Sequence, residues 1–232
     1  MAKIRELVAL CRKYWRWIVF VPLGLILAMQ IYFFFQIAWW VHFNPGSTSF
    51  MRQQLSVLQE KNPKAKLQHK WVPYKRISRN LKRAVIASED SNFTDHEGVE
   101  WEALLKAYEK NSKKGKIVAG GSTITQQLAK NMYFTQEKEL QRKVAEVFVA
   151  FDLEQNYSKN EILELYVNTI YYGNGYYCVK DASEGYFGKA PNDMTDYEST
   201  LLAGIPNAPS KYAPTVSPEL AQKRQEQVLA RL

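Results

Sequence analysis

The sequence predicts a mainly α-helical protein carried on one N-terminal membrane helix, and three observations predict it. Trp17 to Val41 contains no charged residue. From Ile77 onward apolar residues recur at helical spacing, with Ile77, Leu81 and Val85 four apart and Leu140, Val144 and Phe148 repeating the pattern before Phe151. Helix start signals accompany that spacing: Ser158 with Glu161 and Thr195 with Glu198 are capping boxes, and Ser217 precedes a proline suited to a first helical position. With 232 residues, 46% of them hydrophobic, the chain can build one good-sized core or two small ones.

The first element is the apolar stretch. As a helix it reaches ~37 Å, enough to cross a hydrocarbon core of about 30 Å. Trp15 and Trp17 flank one end and Trp39 and Trp40 the other, as interfacial aromatic belts do. A cleaved signal would be shorter and end at small residues, whereas this one runs into Trp39, Trp40, Val41, His42 and Phe43. Lys3, Arg5, Arg12, Lys13 and Arg16 precede the span, and Arg52 is the one basic residue in the eighteen positions after His42. That asymmetry predicts a cytoplasmic N-terminus and an outer remainder. Cys11 and Cys178 then lie on opposite sides, so they form no disulfide framework and no zinc-type cluster.

The net charge of +8 is unevenly spread: residues 1–16 carry +4, residues 43–88 carry +9 and residues 89–232 carry −5. Positive charge brackets the membrane span, which points to lipid headgroups and not to nucleic acid. The expected organisation is a cytoplasmic tail (1–16), a transmembrane helix (17–41), a connector (42–76) and a helical domain (77–232). The connector holds Pro45, Gly46, Pro63 and Pro73 and a basic cluster from Lys61 to Arg76, readable as a headgroup contact or a solvated face. In the outer domain helix stops are expected at Gly173, Gly188 and Gly204, and short strands are conceivable near 68–74 and 175–180. The helix read over the last residues is still running at Leu232.

Five stretches carry chemistry. "SEDSNFTDHEG" (88–98) sets Glu89 beside Asp90, and neighbours cannot share a face of a regular element, so the two acids need separate roles. "GGSTITQQLAKN" (120–131) reads as a helix N-terminus capped by Thr123 and Gln126, with Ile124, Leu128 and Met132 inward and Gln126, Gln127 and Lys130 off that stripe. Free N–H groups there favour an anion. "LQRKVAEVFVAF" (140–151) places Arg142 four before Glu146, which alone reads as a surface ion pair worth a few tenths of a kcal/mol. "SKNEILELYVNTIYYG" (158–173) joins a capped helix to an aromatic turn, and "ASEGYFGK" with "ESTLLAGIPNAPSKY" (182–189 and 198–212) completes the set.

In this order and spacing the chain resembles the peptidoglycan glycosyltransferases of glycosyltransferase family 51, the module also found in class A penicillin-binding proteins, here in the monofunctional, membrane-anchored form. Glu89, Asp90, Phe93, His96 and Gly98 match its Glu-Asp-x-x-Phe-x-x-His-x-Gly pattern, and residues 120–127 its Gly-x-Ser-Thr-Ile-Thr-Gln-Gln pattern. Arg142, Lys143 and Glu146 match Arg-Lys-x-x-Glu, and Glu161, Tyr166 and Asn168 the following helix. Val167 stands where leucine is common and Lys138 where arginine is frequent, with bulk and charge kept.

The resemblance implies a lysozyme-like, two-lobed helical domain that polymerises lipid II on the outer face of a bacterial inner membrane. The acceptor GlcNAc 4-hydroxyl attacks the MurNAc C1 of the lipid-linked chain with inversion and releases undecaprenyl pyrophosphate. It implies Glu89 as the base and Asp90 as an orienting or structural acid. Lys130, Arg142, Lys138 and Lys143 meet the pyrophosphate, with Ser122, Thr123 and Gln126 as hydrogen-bond donors and Phe93 in the binding region. Glu146 keeps three readings: holding the basic cluster, binding a divalent metal, or assisting the leaving group. His96 reads as a loop-fixing hydrogen bonder. No organic cofactor is expected, and a divalent metal (Mg2+ or Mn2+) stays open. The partners are lipid II, the growing glycan chain and membrane lipids, with penicillin-binding proteins and division or elongation proteins as candidates. Residues 99–118, with Trp101, Leu104, Leu105 and Tyr108 among lysines, suit a membrane-contacting lobe. The competing readings are a hydrolase of the same polymer, which has no use for clustered cations, and a noncatalytic wall-binding protein.

Overall fold

The computed structural model describes residues 2–64, 66–67, 69–116, 120–134 and 139–232, and among them there is no strand. The chain opens with α1 (Ala2–His42), one continuous helix that includes Pro22. Its stretch Ala9–His42 is long and apolar enough to cross a membrane, with an eighteen-residue window that reaches a mean hydropathy of 2.3. The C-terminal half of α1 is not a free stalk. Phe33 and Ile37 are buried in the core of the following domain, where Phe33 meets the rings of Tyr133 and Phe134 edge-on and Trp40 stacks on Tyr133. Tyr157 Oη donates to the Ile37 carbonyl across 3.3 Å.

Thr48 caps α2 (Ser49–Lys61), accepting from Met51 N at 3.1 Å. Residues 69–74 follow, extended along α7 (Lys159–Thr169) until the 3-10 turn Tyr74–Arg76. This is one of the places where strands were conceivable, and side chains of α7 take the part of a neighbouring strand. The Asn168 amide accepts from Val72 N and donates to Val72 O, both at 2.8 Å. Glu164 accepts from Trp71 Nε1 at 2.7 Å and Tyr74 N at 2.8 Å. The connector is thereby fastened to the domain.

The domain is built on α5 (Ile124–Tyr133), which packs against α2, α6 (Glu139–Asn156) and α7. Ile124, Leu128, Ala129 and Met132 are buried at the spacing of one helical face. On one side α3 (Arg79–Glu89) buries Leu81, Ala84, Val85 and Ser88 against α9 (Asp196–Gly204) and α11 (Pro218–Leu229). The predicted capping boxes at Thr123/Gln126, Ser158/Glu161 and Thr195/Glu198 are all formed, and Ser217 caps α11. The stops differ. Gly188 closes α8 (Val179–Phe187) in the left-handed region at φ 67°, as expected of a C-cap. Helix α7 ends at Thr169, before Gly173, and Gly204 is right-handed and leads into a 3-10 turn and the short α10 (Pro209–Tyr212). The terminal helix ends at Leu229.

Helix α4 (Trp101–Lys114) stands apart. It buries only Ala107 and leaves Trp101, Leu105 and Tyr108 exposed along one face, and α6 exposes Val144 and Phe148. Gly121, shortly before α5, lets α4 approach: a Cβ there would lie 2.9 Å from Leu104 Cα.

Candidate active site

The end of α3, the start of α5, the polar face of α6 and the end of α11 surround a cavity of about 510 Å3. Glu89 and Glu146 face it together with five cations, Lys110, Lys130, Lys143, Arg224 and Arg231. Ser88, Ser122, Gln126, Gln127 and Asn207 add polar lining.

Glu89 is the last residue of α3 and Asp90 its C-cap, and the turn between them sends the two carboxylates to different places. Asp90 is turned inward and fully engaged. Its Oδ2 accepts from Ile124 N, the first N–H of α5, at 2.9 Å, and both oxygens lie within 3.0 Å of His96 Nε2. Gly98 N donates to His96 Nδ1 at 3.2 Å. That bond assigns the ring proton of a neutral His96 to Nε2, facing Asp90. The loop is thus tied to the positive end of α5, where a carboxylate is favoured. Gly98, at φ 86°, brings it against α6, and a Cβ there would meet Ala150 O at 3.2 Å.

Glu89 faces the cavity, its side chain only 3% exposed. Oε1 accepts from Ser88 Oγ at 3.1 Å and lies 3.5 Å from Arg224 Nη2, and Oε2 accepts from Gln127 Nε2 at 3.0 Å. Tyr166 Oη donates to Gln127 Oε1 at 2.9 Å, which fixes the amide so that its NH2 points at Glu89. Burial first, and the Glu89 charge second, push the Tyr166 phenol well above 10.0, so it stays a donor.

The α5 motif divides its labour. Thr123 is 2% exposed, caps the helix and donates to the Gly98 carbonyl, while Gln126 returns its Oε1 to Thr123 N at 3.0 Å. Both are occupied by local structure, although Gln126 also lines the cavity, and it is the next residue, Gln127, that reaches Glu89. Lys130 lines the cavity one turn on. Ser122 Oγ accepts from Lys143 Nζ at 3.0 Å.

On α6, Glu146 is 1% exposed and held between Arg142 Nε at 3.0 Å and Lys143 Nζ at 3.2 Å. The spacing alone suggested a surface pair; here the acid is buried. The Arg142 contact is close yet not aligned as a hydrogen bond. Arg142 braces Glu146 and does not line the cavity, whereas Lys143 does. Phe93 is buried in the core with Lys159 Nζ 4.6 Å above its ring, also away from the cavity. Lys138 lies outside the described residues.

Glu146 already faces two cations, so a divalent ion would have to displace them. Among the described residues the side chains whose ligand atoms converge, within 4.8 Å, are Asp90, His96 and Glu100, and Asp90 is committed to α5.

Arg224, Arg231, Lys110, Gln127, Ser88 and Asn207 are among the cavity residues that the sequence did not mark as site residues. Arg224 carried a signal: Ala221, Arg224, Gln225 and Val228 form the buried stripe of α11, and an arginine on such a stripe must have a partner inside.

The Transglycosylase family model matches residues 54–232. The biosynthetic peptidoglycan transglycosylase of Janthinobacterium sp. (strain Marseille) is 56% identical over 192 residues, 83% of each chain. That of Herminiimonas arsenicoxydans is 56% identical over 192 residues, again 83% of each chain. That of Azoarcus sp. (strain BH72) is 44% identical over 210 residues, covering 89% of this chain and 91% of the relative.

Proposed function

Because the chain belongs to the transglycosylase family and is a peptidoglycan glycosyltransferase, we propose that it polymerises lipid II with Glu89 as the general base. Glu89 takes the proton of the acceptor 4-hydroxyl as that oxygen attacks the lipid-linked C1. The bond to the pyrophosphate breaks on the opposite face, which inverts the anomeric carbon. The observation that carries this reading is the composition of one cavity: a buried carboxylate among five cations. Negative charge grows on the leaving diphosphate as the bond breaks, so nearby lysines stabilise the transition state more than the ground state. A hydrolase needs an acid for the glycosidic oxygen and has no such use for cations.

Lys110, Lys130 and Lys143 are the pyrophosphate contacts in this reading, and Glu146 with Arg142 holds Lys143 in place. The reading calls on no organic cofactor, and a divalent metal is a question for assay with Mg2+, Mn2+ or chelator.

Membrane attachment supports the same reading. Helix α1 is compatible with a single-pass anchor. We take its N-terminus as cytoplasmic from the flanking charges and the domain as outside. The exposed Trp101, Leu105 and Tyr108 of α4 and Val144 and Phe148 of α6 are then the lipid-facing groups. Helix α4 also supplies Lys110 to the cavity, so one element joins lipid surface and site.

The test is turnover of purified lipid II by the full-length protein. Long glycan strands are the expected product, whereas shortened strands from preformed wall, or no product, would favour the hydrolase or the binding protein.

A further inference from the structure

Glu89 is held by Ser88 of its own helix and by groups from two other helices, Gln127 of α5 and Arg224 of α11, and the farthest in sequence is a cation. The Arg224 guanidinium of α11 is 7% exposed and lies 135 positions from Glu89 in the chain. Its Nη2 donates to Ser88 Oγ at 3.0 Å and sits 3.5 Å from Glu89 Oε1, while Ser88 Oγ donates onward to that same oxygen at 3.1 Å. Arg231 Nη1 donates to the Ser88 carbonyl at 2.9 Å, so α11 and the residues just after it grip the end of α3 twice. The Arg224 stem lies where a side chain on Gly204 would be, since a Cβ there would stand 2.9 Å from Arg224 Cγ. The Tyr212 ring, 6.0 Å from the guanidinium, bounds its other side.

We propose that Arg224 is the positioning residue of the general base, acting through Ser88 and Glu89 Oε1 so that Glu89 Oε2 is the atom that takes the acceptor's proton. A carboxylate oxygen has two lone-pair sites. Among the described residues Oε1 meets both Ser88 Oγ and Arg224 Nη2, whereas Oε2 accepts from Gln127 Nε2 and by that count has the second of its two sites for the incoming proton. Arginine suits the task because it stays protonated and its planar fork holds two groups in fixed relation. A carboxylate released from this clamp can rotate, and misplacement of a reacting group by about 1 Å costs roughly 100-fold in rate. Arg224 touches Glu89 and no reacting atom, so its effect belongs in kcat.

The inference rests on Glu89 being the base, and the experiment separates the two. Full-length protein is assayed on lipid II as Arg224→Met, Arg224→Lys, Gly204→Ala, Lys223→Met, Glu89→Gln and the double variant Glu89→Gln/Arg224→Met. Arg224→Met is expected to lower kcat roughly 100-fold with KM held within about twofold. Arg224→Lys should recover part of the loss. Gly204→Ala keeps every charge but displaces the arginine stem, so it should lower kcat in the same direction. Lys223→Met, which removes an exposed neighbouring cation, should leave kcat unchanged. In the double variant the second substitution should add nothing, because the base is already gone.

Near-normal kcat in folded Arg224→Met overturns the inference, as does a further large loss when it is added to Glu89→Gln. If Arg224→Met does not fold, Gly204→Ala decides: unchanged kcat there overturns it as well. Normal polymerisation by Glu89→Gln would instead remove the base assignment itself.

Discussion

The carboxylate side of the cleft and its cationic rim are built on opposite plans. Glu89 is fixed by Ser88, Gln127 and Arg224, and each of these is held in turn by a group from another helix or by the tight end of α3. The rim is reached by long side chains: Lys143 is 51% exposed and stretches between Ser122 and Glu146. Under the proposed mechanism the contrast follows from what each side has to do. A base must meet one proton at one place, whereas a diphosphate spreads charge over several oxygens and tolerates cations at adjustable distance. On that proposal, rigidity is concentrated where geometry limits the rate.

The sharpest way to break that comparison is to remove the base and leave its clamp. Glu89→Gln keeps size and most hydrogen bonds but cannot take the proton, so turnover should fall by roughly 100- to 10,000-fold while lipid-linked donor still binds. Asp90→Asn is the companion experiment. Its amide can accept from Ile124 N, yet then presents an NH2 to the Nε2–H of His96. The expected outcome is a smaller loss of turnover with a lower melting temperature, since one buried donor is left unsatisfied at about 1–3 kcal/mol. A larger activity loss in Asp90→Asn than in Glu89→Gln would exchange the roles assigned to the two acids.

What the sequence revealed and what it hid divide by range. The caps at Thr123, Ser158, Thr195 and Ser217 depend on residues three apart, so spacing alone exposes them. The same locality misdirects at Gln126 and Gln127. Two adjacent glutamines look alike in a motif, and the helix phase decides that one closes the cap while the other reaches Glu89. Arg224 and Arg231 reach α3 across more than a hundred residues, and no periodicity reports such a contact. The docking of Phe33 and Ile37 was hidden for another reason: a stretch this apolar is hydrophobic all round, so its sequence does not mark the face that meets protein.

On the rim, Lys130 and Arg142 should now part company. Lys130→Ala removes a cavity cation and is expected to cut turnover roughly 100-fold with little change in stability. Arg142 is packed against the buried Glu146, so Arg142→Ala leaves that carboxylate with Lys143 as its ion-pair partner among the described residues. Its loss of turnover should come with destabilisation of about 1–3 kcal/mol, measurable by chemical or thermal unfolding. Equal unfolding midpoints for the two variants would show that brace and contact are not distinct.

The smallest expected effect tests how far the rigidity of the carboxylate side extends. Tyr166→Phe deletes one hydrogen bond, to Gln127 Oε1, and leaves the ring packed. Gln127 keeps its bond to Glu89 but loses the partner that fixes its amide, so kcat should fall about 2- to 10-fold, corresponding to a net hydrogen bond of roughly 0.5–1.5 kcal/mol. The pH dependence supplies the internal check. Because burial, aided by the Glu89 charge, raises the Tyr166 phenol well above its usual 10.0, the donor keeps its proton throughout the range in which a free tyrosine would lose it. The ratio of wild-type to Tyr166→Phe turnover should therefore stay flat as pH rises from neutrality to about 10. A ratio that collapses towards one below that pH would mean that Tyr166 ionises in the functioning enzyme, and that the relay from α7 through Gln127 to the base is looser than the structure draws it.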